Sequence, residues 1–157
     1  MKTKTILITG GESGVGAATA RALAAQGHRV LFTCREAEDG AQLCNDITTA
    51  FPRATVKNYS LDLASFSSIR LLADKLQREY NQIDVLINNA SLAPLTKQKT
   101  RDGFELQFGA NYLGHFLFTQ LLLDVLNEAG RARIVHTSSM MLARRVDFGS
   151  FHGDKFY

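Results

Sequence analysis

Apolar residues are distributed along the chain in two kinds of run, and the two kinds alternate. Short continuous aliphatic runs such as Ile6-Leu7-Ile8 are typical of buried strands, whereas longer segments with periodically spaced apolar residues are typical of amphipathic helices. The pattern predicts strands over 4–8, 29–33, 55–61, 84–88 and 134–137. It predicts helices over 17–26, 36–50, 65–80 and 102–129.

This regular alternation predicts the fold class. Strands that alternate with helices favour right-handed crossovers and an α/β, Rossmann-type, doubly wound parallel sheet, with ligands at the carboxyl ends of the strands. The stretch over 140–157 shows no clear period. Because a doubly wound fold built from two halves continues to a sixth strand, we expect residues 1–157 to form one Rossmann domain that lacks the C-terminal part of its fold.

A glycine-rich segment, Thr-Gly-Gly-Glu-Ser-Gly-Val-Gly over 9–16, connects the first strand to the first helix. The free N–H groups and the dipole of a helix N-terminus make such a turn an anion site. The segment does not fit G-x-G-x-x-G, because Ala17 and the residues after it break the pattern, and it lacks the Lys-Ser/Thr of a P-loop. The remaining pattern, T-G-x-x-x-G-x-G, is either a diphosphate-binding turn or a purely structural one.

The composition is that of an ordinary soluble globular protein, with 45% hydrophobic and 21% charged residues. The net charge of +3 is mild, and the sequence has no block of Lys and Arg that would predict nucleic-acid binding. The two cysteines, Cys34 and Cys44, lack the spacing of a metal site, and we interpret both as reduced packing residues. We therefore expect the protein to bind neither nucleic acid nor metal.

Two further features bear on the compartment. Residues 1–4 lead directly into the first strand, which leaves no room for a signal peptide. The longest apolar stretch, over 116–126, is interrupted by Thr119, Gln120 and Asp124, so we expect no membrane span. Together these features predict a cytoplasmic protein.

Five ordered motifs resemble those of the short-chain dehydrogenases/reductases. They are the glycine segment, Asp62 after the third strand, Asn88-Asn89-Ala90 after the fourth, Asn111 in the last helix, and Ser139 after the fifth strand. Ser91 stands where that family usually has glycine. The residues over 102–105 and 111–116 look most similar to the retinol-dehydrogenase-like and protochlorophyllide-reductase-like branch. The resemblance extends over nearly the whole chain.

The resemblance implies a role for each matched residue. The glycine segment would hold a diphosphate, Asp62 would contact the adenine, Asn89 and Ala90 would line the nicotinamide side, and Asn111 and Ser139 would be catalytic. The implied cofactor-binding residues are Gly10, Ser13, Gly14, Val15, Gly16, Arg35, Asp62, Leu63, Asn89 and Ala90.

Each of these residues also has a structural interpretation. Asn89 and Ser139 could simply close strand ends and cap turns. Asn111 lies on a mostly apolar helix face, where a core amide needs hydrogen-bond partners. His115, one turn later, we interpret as a packing histidine rather than a proton carrier.

The end of the second strand predicts the cofactor. An acid there would hold the ribose hydroxyls of NAD, whereas an Arg accommodates the 2′-phosphate of NADP. Arg35 is the first charged residue after that strand, so we expect NADP(H) in preference to NAD(H). Glu12, in the glycine segment, opposes this assignment because its carboxylate would repel the phosphate.

In the family that the chain resembles, hydride moves between the nicotinamide and a carbonyl or alcohol, and a tyrosine in Y-x-x-x-K exchanges the proton. The sequence contains no Y-x-x-x-K, and Lys155-Phe156-Tyr157 resembles the segment just before that motif. We therefore expect an NADP(H)-dependent short-chain oxidoreductase, or its N-terminal fragment, that acts on a small-molecule carbonyl or alcohol. A homo-oligomer is an open alternative for its assembly. The alternative is a non-catalytic nucleotide-binding or interaction protein.

Overall fold

A computed structural model describes residues 2–12 and 14–139 of the chain. These residues contain one five-stranded parallel sheet. The strands are β1 (Thr5–Ile8), β2 (Arg29–Cys34), β3 (Thr55–Ser60), β4 (Val85–Asn88) and β5 (Arg133–His136). The predicted Rossmann-type sheet is confirmed. The prediction that residues 1–157 form a single domain stays a prediction, because residues 140–157 lie outside the described part.

The order of the strands across the sheet is β3-β2-β1-β4-β5. The chain therefore builds outward from β1 in one direction, then crosses back and continues on its other side. Leu7 in β1 lies opposite Leu31 in β2 and Leu86 in β4. A reversal of this kind opens a crevice at the carboxyl ends of the two strands where it occurs, which are β1 and β4.

Helical segments cover both faces of the sheet. They are α1 (Gly14–Ala25), α2 (Ala37–Ala50), α3 (Phe66–Glu79), a π-helical segment (Phe108–Gly114), α4 (His115–Leu121) and α5 (Leu123–Asn127). Alternate strand residues point to opposite faces. Leu7 and Leu86 pack with residues of α3, α4 and α5, whereas Ile8 and Phe32 pack with residues of α1 and α2. Burial on both faces explains why β1 appears as a continuous aliphatic run.

The prediction of one long helix over 102–129 is wrong in two respects. First, the helical region begins later than predicted, because a turn precedes it in which Gly103 has a φ of 88°. The side chain of buried Glu105 then accepts hydrogen bonds from the backbone N–H groups of Gln107 and Phe108, at 2.8 and 2.7 Å. These bonds satisfy two of the unpaired N–H groups at the start of a helix, so Glu105 acts as its cap.

Second, the region is not a continuous α-helix. It opens as the π-helical segment, becomes α4, and is interrupted at Leu122 before α5. A π turn is a local widening that occurs often at functional sites, and here it carries Asn111. Within the described residues, no helix combines the length and the apolar character that crossing a bilayer requires.

Candidate functional site

A cavity of about 440 Å³ lies at the carboxyl ends of the strands, beside β1. It is lined by the segments that follow the five strands, by the end of β2, by the start of α1 and by the π-helical segment. Most of the residues predicted from the sequence line it: Gly10, Val15, Gly16, Arg35, Asp62, Leu63, Asn89, Ala90 and Asn111. The fold thus brings together residues that are far apart in the sequence.

Three predicted residues are not among those that line the cavity. Gly14 begins α1, with a φ of 53°. Ser139 follows β5 and is exposed. Ser13 lies outside the described residues.

The glycine-rich segment that follows β1 forms a tight turn, the glycine turn, which packs closely against the end of β4 and the start of α1. Gly10 has a φ of 63°, which favours glycine, and a Cβ atom there would lie 2.9 Å from the Cα of Ala90. A Cβ at Gly16 would lie only 2.0 Å from the carbonyl oxygen of Gly10. The backbone at the start of α1 therefore approaches the turn at a distance that no side chain allows.

Hydrogen bonds from the end of β4 hold this turn in place. The side-chain amide of Asn89 donates to the carbonyl oxygens of Thr9 and Gly10, at 3.0 and 3.1 Å. The backbone N–H groups of Asn89 and Ala90 both donate to the Thr9 hydroxyl, at 2.9 and 3.0 Å. The ends of β1 and β4 are thereby linked across the floor of the cavity.

Two oppositely charged side chains line the cavity near the end of β2. Arg35 is exposed and forms no ion pair with the described residues, and its backbone carbonyl accepts a 2.9 Å hydrogen bond from the Ser60 hydroxyl. In Glu12, the Oε2 atom is buried and has no hydrogen-bond partner among the described residues. Among the described residues, this region therefore combines a cation without an ion pair and a carboxylate with one unpaired oxygen.

Asp62 lies at the end of β3, on the same side of the cavity. Its Oδ1 atom accepts a 2.9 Å hydrogen bond from the backbone N–H of Ala64, and its Oδ2 atom lies 3.8 Å from Nε of Arg101. The carboxylate is thus oriented by its own loop, while the residue still lines the cavity.

The Asn111 side chain contacts the loop that follows β4. Its Oδ1 atom accepts from the backbone N–H of Leu92 at 3.0 Å, and its Nδ2 atom donates to the carbonyl oxygen of Leu92 at 2.8 Å. Both ends of the amide are satisfied by one residue, which itself lines the cavity. In this structure Asn111 therefore orients the loop.

A buried histidine connects Asn111 to the glycine turn. His115 is 5% exposed, with Nδ1 2.9 Å from the Asn111 carbonyl oxygen and Nε2 2.8 Å from the Thr9 hydroxyl. Burial lowers the pKa of the imidazole, so the neutral form is favoured. Sequence reasoning included neither Thr9 nor His115 among the site residues, although Thr9 opens the glycine motif.

Other lining residues were also missed: Glu12, Thr33, Cys34, Leu61, Ala64, Ser91, Leu92, Ala110 and Thr137. Most of them directly follow a strand or flank a matched motif, and that position was the available signal. Among the described residues there is no group of three or more His, Cys, Asp or Glu side chains that could hold a metal ion.

A protein-family model and curated proteins match the sequence of this chain. The family model described as short chain dehydrogenase matches residues 4–151. Retinol dehydrogenase 13 of Mus musculus is 42% identical over 146 residues, a match covering 92% of this chain and 44% of the relative. Retinol dehydrogenase 11 of Homo sapiens is 41% identical over 155 residues, covering 98% of this chain and 49% of the relative. The chain thus spans about half the length of the curated relatives it matches.

Solved structures share the fold. A crystal structure of an uncharacterised protein from Mycobacterium paratuberculosis superposes with a TM-score of 0.83 at 36% identity, covering 98% of this chain and 53% of the other. A metagenomic short-chain oxidoreductase in complex with NADP superposes with a TM-score of 0.76 at 26% identity, covering 91% of this chain and 64% of the other.

Proposed function

The chain belongs to the short-chain dehydrogenase family, and on that premise we propose that it binds a nicotinamide dinucleotide, NADP(H) in preference to NAD(H), in the cavity beside β1. The observation that carries the proposal is the convergence of the glycine turn, Asp62 and Ala90 on one cavity at the point where the strand order reverses. Such a crevice is where open α/β sheets bind their ligands.

The residues present fit a dinucleotide. The bare backbone at Gly10 and Gly16, together with the N-terminus of α1, offers N–H groups to a diphosphate without an intervening side chain. Asp62, Asn89 and Ala90 line the same cavity, and we assign Asp62 to the adenine and Asn89 and Ala90 to the nicotinamide side.

Arg35 supports the preference for NADP(H). Its guanidinium can form charge-assisted hydrogen bonds with a 2′-phosphate, and it has no competing ion pair among the described residues. The solved relative in complex with NADP agrees with this preference. Glu12, whose Oε2 atom has no hydrogen-bond partner among the described residues, acts in the opposite direction.

The proposed reaction is oxidation of an alcohol or reduction of a carbonyl. A bound nicotinamide supplies or accepts the hydride. Ser139 would donate a hydrogen bond to the substrate oxygen, and Asn111 would hold the loop at Leu92 against the reacting region. The names of the relatives make retinol and retinal the first compounds to test.

A second candidate is binding of a nucleotide without catalysis by residues 1–157, among which no Y-x-x-x-K occurs. Without a positioned group to exchange the proton, the rate falls by about 100- to 10,000-fold. We therefore expect the 157-residue chain to bind dinucleotide and to show negligible turnover.

Titration with NADPH and NADH, followed by fluorescence or calorimetry, tests the binding proposal. Absence of binding to both would refute it. Turnover is measured as NADPH consumption with retinal and a panel of aldehydes and ketones. Robust turnover that Ser139→Ala abolishes would show that the chain contains a proton donor which the sequence comparison did not identify.

A further inference from the structure

We propose that His115 is a positioning residue, whose neutral ring sets the spacing between the glycine turn and Asn111. The proposal rests on the proposed function only in treating this cavity as the dinucleotide site. Its basis is the hydrogen bonding of the two ring nitrogens, which reach opposite sides of the site.

The partner of Nδ1 determines the tautomer. Nδ1 lies 2.9 Å from the Asn111 carbonyl oxygen, which can only accept a hydrogen bond, so Nδ1 carries the proton. In a neutral ring Nε2 then has a lone pair. The Thr9 hydroxyl, 2.8 Å away, must therefore donate to Nε2.

This assignment completes the hydrogen bonding of Thr9. A hydroxyl has one donor and two acceptor positions, and both acceptor positions are used by the backbone N–H groups of Asn89 and Ala90. The alternative acceptor for the Thr9 proton, the Ile87 carbonyl, is more distant at 3.5 Å. His115 is thus the partner that completes the junction between β1 and β4.

The Asn111 carbonyl that the ring contacts belongs to the π-helical segment. The backbone N–H of His115 donates to the carbonyl of Tyr112, so it does not occupy the Asn111 carbonyl. On its other side, the Asn111 amide holds Leu92. These hydrogen bonds form a continuous path from the glycine turn through Thr9, His115 and Asn111 to the loop that follows β4.

Protonation of His115 would break this path. A second ring proton on Nε2 would place three donors on the Thr9 oxygen, which has acceptor positions for two. Of the groups that face the ring, Thr9 after β1 and the amides after β4 are uncharged, and His136 on β5 is a titratable neighbour whose charge would oppose protonation.

Nuclear magnetic resonance of the ¹⁵N-labelled 157-residue chain tests the proposal without any ligand. The ring nitrogens of His115 should show the tautomer protonated at Nδ1. His115→Leu should accelerate hydrogen exchange at the Asn111 side-chain amide and at the backbone of Asn89 and Ala90 by on the order of 10-fold, the effect of losing a buried hydrogen bond.

Two further variants separate positioning from packing. His115→Gln keeps one donor and one acceptor without a titrating ring. It should restore most of the protection of the Asn111 side-chain amide against hydrogen exchange. It should also remove the part of the pH dependence of that exchange rate, between about pH 8 and pH 5, that comes from protonation of His115. The matched control is His28→Leu, since His28 is also buried and its ring instead accepts a hydrogen bond from the backbone of Lys4; it should leave exchange at Asn111 unchanged.

The proposal is overturned if the ring is protonated at Nε2, or if His115→Leu leaves exchange at Asn111 and Ala90 unchanged. It is also overturned if His115→Leu accelerates exchange equally in remote helices such as α2, because that pattern indicates general destabilisation. NADPH titration of the wild-type chain runs in parallel. Failure to bind would refute the dinucleotide proposal, while the exchange data would still decide the role of His115.

Discussion

Arg35 and Glu12 line the same cavity with opposite charges, and the balance between them should determine cofactor preference. Replacing Arg35 with Asp exchanges attraction for repulsion at the 2′-phosphate. We expect Arg35→Asp to weaken NADPH binding by roughly 10- to 100-fold and to change NADH binding much less, as for loss of a hydrogen bond to a charged group. Titration of both cofactors against both proteins measures this. A wild-type preference for NADH, or a preference that survives the substitution, would contradict the assignment.

Glu12→Gln is the complementary variant, because it removes a charge with almost no change in shape. We expect it to strengthen NADPH binding by a few-fold, with little effect on NADH. An equal effect on both cofactors would show that Glu12 acts on the turn rather than on the 2′-phosphate.

His115 should make stability depend on pH. In the unfolded chain its pKa is about 6.5, whereas burial lowers the pKa in the folded state, so the unfolded chain binds the proton more readily. The stability contributed by neutral His115 is therefore fully present above about pH 6.5 and is lost as the pH falls towards the lower folded pKa.

Urea unfolding of wild type and His115→Gln at several values between about pH 8 and pH 5 measures this dependence. The difference in the free energy of unfolding should shift in favour of the Gln variant as the pH falls, because the other titrating groups are common to both proteins. A difference that stays constant across the range would show that His115 is not the responsible group.

At the scale of elements, the glycine turn and the start of α1 form one unit. A Cβ at position 16 would lie 2.0 Å from the Gly10 carbonyl oxygen, so Gly16→Ala forces the helix and the turn apart. We expect a loss of about 1–3 kcal/mol in the free energy of unfolding, typical of overpacking, and a larger relative loss of dinucleotide binding. The control is Ala18→Ser, on the exposed side of α1. Unchanged binding by Gly16→Ala would mean that the turn does not hold the diphosphate.

At the scale of the whole molecule, the described part of the sheet has an exposed edge. β5 pairs with β4, and Ile134 and Val135 are 41% and 45% exposed in the described structure. Apolar side chains on an edge strand favour pairing with another chain. We therefore expect the 157-residue chain to self-associate as its concentration rises.

Light scattering across a range of protein concentrations measures this association. Ile134→Lys, which places a charge on the edge strand, should shift the population towards monomer. A wild-type chain that remains monomeric at all concentrations and melts sharply would contradict the expectation.

The sequence by itself determined the elements whose signals are local. Buried strands such as β1 required continuous aliphatic residues, and the turn required glycine at positions 10 and 16, so both are visible in a few neighbouring residues. The predicted site residues share a position after a strand end. Because parallel strands end at the same edge of a sheet, most of the predicted residues line the cavity.

Tertiary structure alone decided the contacts between distant segments. Thr9 and His115 are separated by 106 positions, and nothing local to either residue predicts that the hydroxyl donates to the ring. The same holds for the Asn111 amide, which looked like a polar group on an apolar helix face and is instead satisfied by the backbone of Leu92. The π-helical segment was hidden for a related reason. Its residues have an ordinary helical pattern, and the widened turn becomes visible only in the geometry of the folded backbone.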